Sequence, residues 1–93
     1  MSIDSLIVNL VEDYPTENAK INEIKVIFGE LKEEKNIKEN IERLQQICNE
    51  LYNISSTENL IELQVIINSY RYKYDITDPR EILNWDNGKG YVQ

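Results

Sequence analysis

Histidine is absent from this 93-residue chain, and cysteine occurs once, at Cys48. The first absence removes the commonest general base and the commonest metal ligand together. The second excludes a disulfide framework and any multi-cysteine metal site. Glycine is limited to Gly29, Gly88 and Gly90, so no phosphate-cradling loop exists. Proline is limited to Pro15 and Pro79, and alanine to Ala19. Runs of consecutive apolar residues stop at four or fewer, too short for a membrane span. The N-terminus has neither the basic flank nor the long apolar core of a signal peptide.

What is there is acid and aliphatic. Seventeen Asp and Glu face ten Lys and Arg, a net charge of −7, and hydrophobic residues make up 41%. That apolar share is near the globular norm, so the chain is expected to fold, as a single domain. Isoleucine occurs 14 times and asparagine 11 times. Alanine, the best helix former, is nearly missing. This bias fits A/T-rich coding and an origin in a low-GC bacterium, or in a phage or plasmid living in one. One lone thiol is compatible with a reducing cytoplasm.

The apolar spacing is three and four throughout residues 3–74, the helical period. Ile3, Leu6, Ile7, Leu10 and Val11 mark a first helix over 2–14, with Ser2 able to cap it and Pro15 stopping it. Ile21, Ile24, Ile27, Phe28 and Leu31 mark a second over 16–34, with Thr16 as the expected N-cap. Gly29 in this stripe is expected to permit close packing or a kink. Ile37, Ile41, Leu44, Ile47, Cys48 and Leu51 mark a third over 37–53. Asn36 and Glu39 there have capping-box spacing, and Glu34–Lys38 and Glu39–Arg43 are spaced for ion pairs. The short Lys35–Asn36 link leaves a fused bent helix as an alternative to a hairpin. A fourth helix over 56–74 carries Leu60, Leu63, Ile67, Tyr70 and Tyr74, with Ile61, Val65 and Ile66 broadening the face. Ser55 and Glu58 form its expected capping box, and its breadth predicts the most buried helix of the set. A strand over 70–76 is the alternative there, since Tyr70, Tyr72 and Tyr74 alternate with Arg71 and Lys73. Asp78-Pro79-Arg80-Glu81 opens a short fifth helix, about 79–85, followed by a turn at Asp86-Asn87-Gly88. The expected fold is therefore all-α: an antiparallel four-helix bundle with a short fifth C-terminal helix packed across one end by Trp85. One helical domain spans residues 1–86 and a tail spans 87–93. Ile24, Phe28, Leu44, Ile47, Leu63 and Ile67 are its expected core.

Chemistry is hard to find. Cys48 on an apolar stripe reads as a small buried hydrophobe, with no histidine to activate it. Asp75, Asp78 and Asp86 lack calcium-loop spacing, so no metal or other cofactor is expected. Glu30 with Glu34, and Glu58 with Glu62, could share helix faces, but without any cofactor signal they read as solvated carboxylates. The Tyr70–Tyr74 interleaving could stack bases, yet a net charge of −7 opposes nucleic acid. On a helix those tyrosines read as the end of a core face. No catalytic residue is assigned, and a binding role is expected by exclusion.

The acids are unevenly placed. Residues 1–18 hold Asp4, Glu12, Asp13 and Glu17 without a base, and residues 44–69 hold Glu50, Glu58 and Glu62 without a base. Residues 19–43 balance six acids with six bases. The seven unbalanced acids are the candidate partner-binding face, able to steer a basic protein into contact. The bland alternative is a charge excess that keeps the chain soluble. A tail site at Trp85, Lys89 and Tyr91 is the alternative interface.

The helix order, a short first helix, two longer ones, a fourth amphipathic helix and a C-terminal extension, resembles that of the immunity proteins of pediocin-like bacteriocins. The likeness runs over residues 5–74, through stretches such as Leu6-Ile7-Val8-Asn9-Leu10 and Ile47-Cys48-Asn49-Glu50-Leu51-Tyr52. It implies a four-helix bundle from a low-GC Gram-positive bacterium. It also implies recognition, in a complex of membrane receptor and bacteriocin, by the C-terminal part, here Trp85 to Gln93 by position. The acidity departs from the pattern and counts against contact with an anionic membrane. The tail Trp85-Asp86-Asn87-Gly88-Lys89-Gly90-Tyr91 looks something like that of colicin nuclease immunity proteins, whose acidic Tyr-Tyr recognition loop is missing here. The expectation is a cytoplasmic binding protein of immunity or inhibitor type, without catalysis or membrane insertion. A phage-encoded, nucleic-acid-mimicking inhibitor of a defence nuclease (anti-CRISPR or anti-restriction) and a small adaptor subunit are the alternatives.

Overall fold

Four helices run up and down in a ring: α1 (Ile3–Asp13), α2 (Asn18–Lys32), α3 (Ile37–Tyr52) and α4 (Glu58–Tyr74). The structure, a computed structural model, describes residues 3–76. The Ser2 cap, the fifth helix, the tail and the Trp85, Lys89 and Tyr91 site lie outside the described residues. Each helix packs on its two neighbours in the ring, α1 on α2 and α4, α3 on α2 and α4. Side-chain bonds fix the antiparallel register. Arg43 bonds Glu23 and Asn40 bonds Glu30 between α3 and α2. Gln45 bonds Gln64 and Arg71 between α3 and α4. Asn59 bonds Asp13 between α4 and α1.

The stripes meet in one core. All six expected core residues are at most 5% exposed, and Leu6, Leu10, Ile21, Ile41, Leu51 and Leu60 join them. Cys48 is fully buried among them. The chain remains helical to Tyr74, so the alternating tyrosines form no strand, and there is none among the described residues. Nor is α4 the most buried helix. It seals three residues completely, against five for α3, and Ile61 and Val65 stay about half exposed. In a four-membered ring a helix meets only two neighbours, and a face as broad as that of α4 outruns the contact available.

Helix starts differ from the expected caps. Glu17, not Thr16, stands at the N-cap of α2 and makes no side-chain cap bond. Thr57, not Ser55, caps α4, its Oγ1 accepting from the Leu60 amide at 3.2 Å. Asn36 is left-handed at φ 46° and caps nothing with its side chain. That geometry decides between hairpin and fused helix. α2 ends with the Lys35 amide donating to the Glu30 carbonyl and the Glu34 amide to the Leu31 carbonyl, with Glu34 also left-handed at φ 59°. This is a Schellman-type stop without its usual glycine, and the chain reverses there. Arg43 consequently turns to Glu23 across the helix pair rather than along α3 to Glu39, and Lys35 pairs with Glu33. Gly29 does not permit close packing, and α2 runs through it unbroken. A Cβ built there meets nothing within 4 Å.

Candidate functional site

An up-down ring places the end of α1, the start of α2, the end of α3 and the start of α4 at one pole. Two connections cross that pole, 14–17 and 53–57. Tyr14 joins them: it is 1% exposed, and its hydroxyl donates to the Ser55 carbonyl at 2.7 Å and lies 3.4 Å from Thr57 Oγ1. Six of the seven expected acids, Glu12, Asp13, Glu17, Glu50, Glu58 and Glu62, belong to this pole. Asp4, at the start of α1, belongs to the opposite one. In the two connections and the pair of helical turns adjoining each, Lys20 is the one base.

The acids at this pole are not equivalent. Glu17 accepts from Lys20 Nζ at 2.8 Å and from Thr16 Oγ1 at 3.2 Å, and these two bonds hold its carboxyl below the usual range. Asp13 accepts from Asn59 Nδ2 at 2.8 Å. Glu50 faces Lys20 and Arg43 closely enough to favour their charged forms. Glu12 and Glu58 are exposed. Glu58 sits in the first turn of α4, where the helix dipole welcomes an acid. Glu12, Asp13 and Glu50 sit in the last turns of α1 and α3, which contain no base. There the dipole opposes negative charge. A sequence optimised for stability alone would place lysine or arginine at those helix ends.

A second feature lies at the other pole. α1 is the shortest helix, and beside its first turn a groove of about 640 Å³ opens between α2 and α4. Phe28, Tyr70 and Tyr74 line it, with ring centroids 6.1 Å apart for Phe28 and Tyr70 and 6.5 Å for the stacked Tyr70 and Tyr74. Gly29 lines it too, and so do Lys25, Lys32 and Lys73 together with the acids Asp4 and Glu34. The sequence pattern placed the tyrosines on a core face but did not reveal this opening, because it results from unequal helix lengths.

A third feature is an amide network between α3 and α4. Gln45, 8% exposed, exchanges two 2.8 Å bonds with Gln64 and accepts a third, also 2.8 Å, from Arg71 Nη1. Arg71 thus turns away from Tyr70 and Tyr74, as a helix requires, and Tyr72 points to solvent. The Cys48 thiol donates to Gln64 at 3.6 Å. Burial pushes that thiol up to about 11, with the charge of Arg71 pulling weakly the other way. A thiol so protonated at neutral pH is no nucleophile. Of the two carboxylate pairs, Glu30 bonds Asn40 at 2.9 Å while Glu34 has left the helix, and Glu58 and Glu62 belong to the acidic pole. Among the described residues, no group of three or more metal-ligating side chains is placed to hold an ion, and no helix is long and apolar enough to cross a membrane.

The chain matches no protein-family model, no curated protein and no solved structure.

Proposed function

We propose that this is a binding protein of immunity or inhibitor type that acts through its acidic pole on a protein with a basic surface. The observation that carries the reading is the position of Glu12, Asp13 and Glu50. These acids stand at helix C-termini, where the helix dipole opposes their charge, and the ring topology gathers them with Glu17, Glu58 and Glu62. Charge kept where the local dipole disfavours it is the pattern expected of an interface. The Tyr14 bond to the other connection holds the pole in shape before a partner arrives, which lowers the ordering cost of association. In this reading the protein has no catalytic role, works in the cytoplasm and occludes its partner. It contacts neither membrane nor nucleic acid.

The test is kinetic, on a partner captured from the native host. Raising salt from low to physiological concentration slows association far more than it speeds dissociation. The triple variant Glu12→Gln/Glu50→Gln/Glu58→Gln slows association in the same way while keeping its helical CD signal. Salt-insensitive association unaffected by that variant overturns the proposal. Competition by duplex DNA for the partner identifies the nuclease-inhibitor form of the same reading, since a mimic of nucleic acid charge and DNA then share one basic surface.

A further inference from the structure

We propose that the aromatic groove at the non-acidic pole is the docking site for this chain's own C-terminal segment, with the Trp85 indole as its anchor. Three observations lead there. First, the groove is unfinished core: Phe28, Tyr70 and Tyr74 face it, and the absence of a side chain at Gly29 leaves its wall open. Apolar surface of this kind gains by being covered.

Second, the chain is turned toward it. α4 ends in a Schellman motif, the Ile76 amide donating to the Arg71 carbonyl at 2.9 Å and the Asp75 amide to the Tyr72 carbonyl at 3.4 Å. Asp75 takes the left-handed conformation at φ 56°, costly for a residue other than glycine. The motif brings Ile76 back against the core cluster. The last described residue therefore lies against the bundle rather than on the continued axis of α4. Trp85 lies nine steps along the chain from Ile76, an extended reach of about 30 Å, ample for any point of the groove.

Third, the charges lean the right way. Lys25, Lys32 and Lys73 line the groove against two acids, Asp4 and Glu34, and none of the three lysines has a carboxylate within ion-pair distance among the described residues. The segment supplies Asp78, Glu81 and Asp86, the last adjoining Trp85. A tethered occupant also has an effective concentration that no free peptide matches.

Trp85 is the only tryptophan, so its fluorescence reads docking in the unlabelled full chain. Docking gives a blue-shifted emission and severalfold weaker acrylamide quenching than N-acetyl-tryptophanamide, both independent of protein concentration. Gly29→Gln projects a side chain into the groove from a position where nothing lies within 4 Å, and it returns both readings toward the free values while the helical CD signal stays. Lys32→Glu/Lys73→Glu, two surface changes, weakens the protection in the same direction and serves should Gly29→Gln fail to fold. The proposal is overturned by free-like emission in the parent chain, by protection that neither variant moves, or by protection that grows with protein concentration, the mark of a second copy in the groove. None of these outcomes bears on the acidic pole, whose salt-dependent kinetics are measured separately.

Discussion

Replacing Gln45 with leucine strips the α3–α4 network of its centre. Gln64 Oε1 is then left with only the Cys48 thiol, a weak donor at 3.6 Å, and Arg71 Nη1 loses its 2.8 Å acceptor. A buried acceptor without a good donor costs about 1–3 kcal/mol, and the lost bond from the guanidinium adds a similar amount. The new leucine returns about 1–2 kcal/mol through apolar burial. The expected net loss for Gln45→Leu is about 2 kcal/mol, a fall in melting temperature of about 8–16 °C for a domain of this size. In Gln45→Leu/Gln64→Leu both halves of the amide pair are apolar, so no amide is stranded and the lost Arg71 bond is the main cost that remains. The double variant should therefore recover most of the loss, with a coupling energy of about 1–3 kcal/mol. Urea unfolding followed by far-ultraviolet CD measures all three variants and the parent, and constant m-values validate the comparison. Additive losses in the double variant would refute the argument, because they would mean that the amides are solvated individually rather than paired.

Further perturbations test the core, the turn, the groove wall and the thiol. Leu63→Ala should cost about 2–5 kcal/mol in urea unfolding, since the site is sealed and cannot collapse freely. Glu34→Gly should stabilise by about 1 kcal/mol, read the same way, by relieving a left-handed conformation. Gly29→Ala should raise the unfolding free energy by about 0.5–1 kcal/mol, because the helix gains a better former and the added methyl meets open space. Cys48 has a folded-state pKa raised from 9.0 to about 11 by burial, so the native state holds the thiol proton more tightly than the unfolded chain does. Its contribution is complete below pH 9.0 and is lost as the pH rises toward about 11. Cys48→Ala should therefore show a shallower decline of stability across that window in pH-dependent denaturation, and the parent thiol should resist modification until the protein unfolds.

The helices and the core were legible because period 3.6 is written in apolar side chains such as Leu44, Ile47 and Leu63, whose burial any helical packing demands. The caps were less so. Ser55 and Thr57 are both competent N-cap residues in one short connection, and the choice of Thr57 depends on where the α3–α4 turn brings the chain relative to Tyr14. Gln45, Gln64 and Arg71 carry no pattern of their own, since polar residues on a buried seam become visible only when two helices set a register. Tyr14 before Pro15 read as a helix end, and its burial follows from the meeting of two connections. The acidic pole was half legible. The sequence showed two stretches of acid without base, and the topology united six of those acids while sending Asp4 to the opposite end.

The ring topology also implies an order of closure, in which the Tyr14 hydroxyl belongs to the last seam. Contacts of α1 with α2, α2 with α3 and α3 with α4 join neighbours in sequence and form over short loops, the condition for fast folding. The α1–α4 seam joins the two ends of the described chain, and the Tyr14 bond to Ser55 spans 41 residues. That seam carries the largest loop entropy, so it zips last and opens first. α1 is then a separable unit, detaching from a persistent three-helix remainder. Its amides should exchange with deuterium earlier than those of α3, and Tyr14→Phe should widen that gap by accelerating unfolding while leaving the folding rate nearly unchanged.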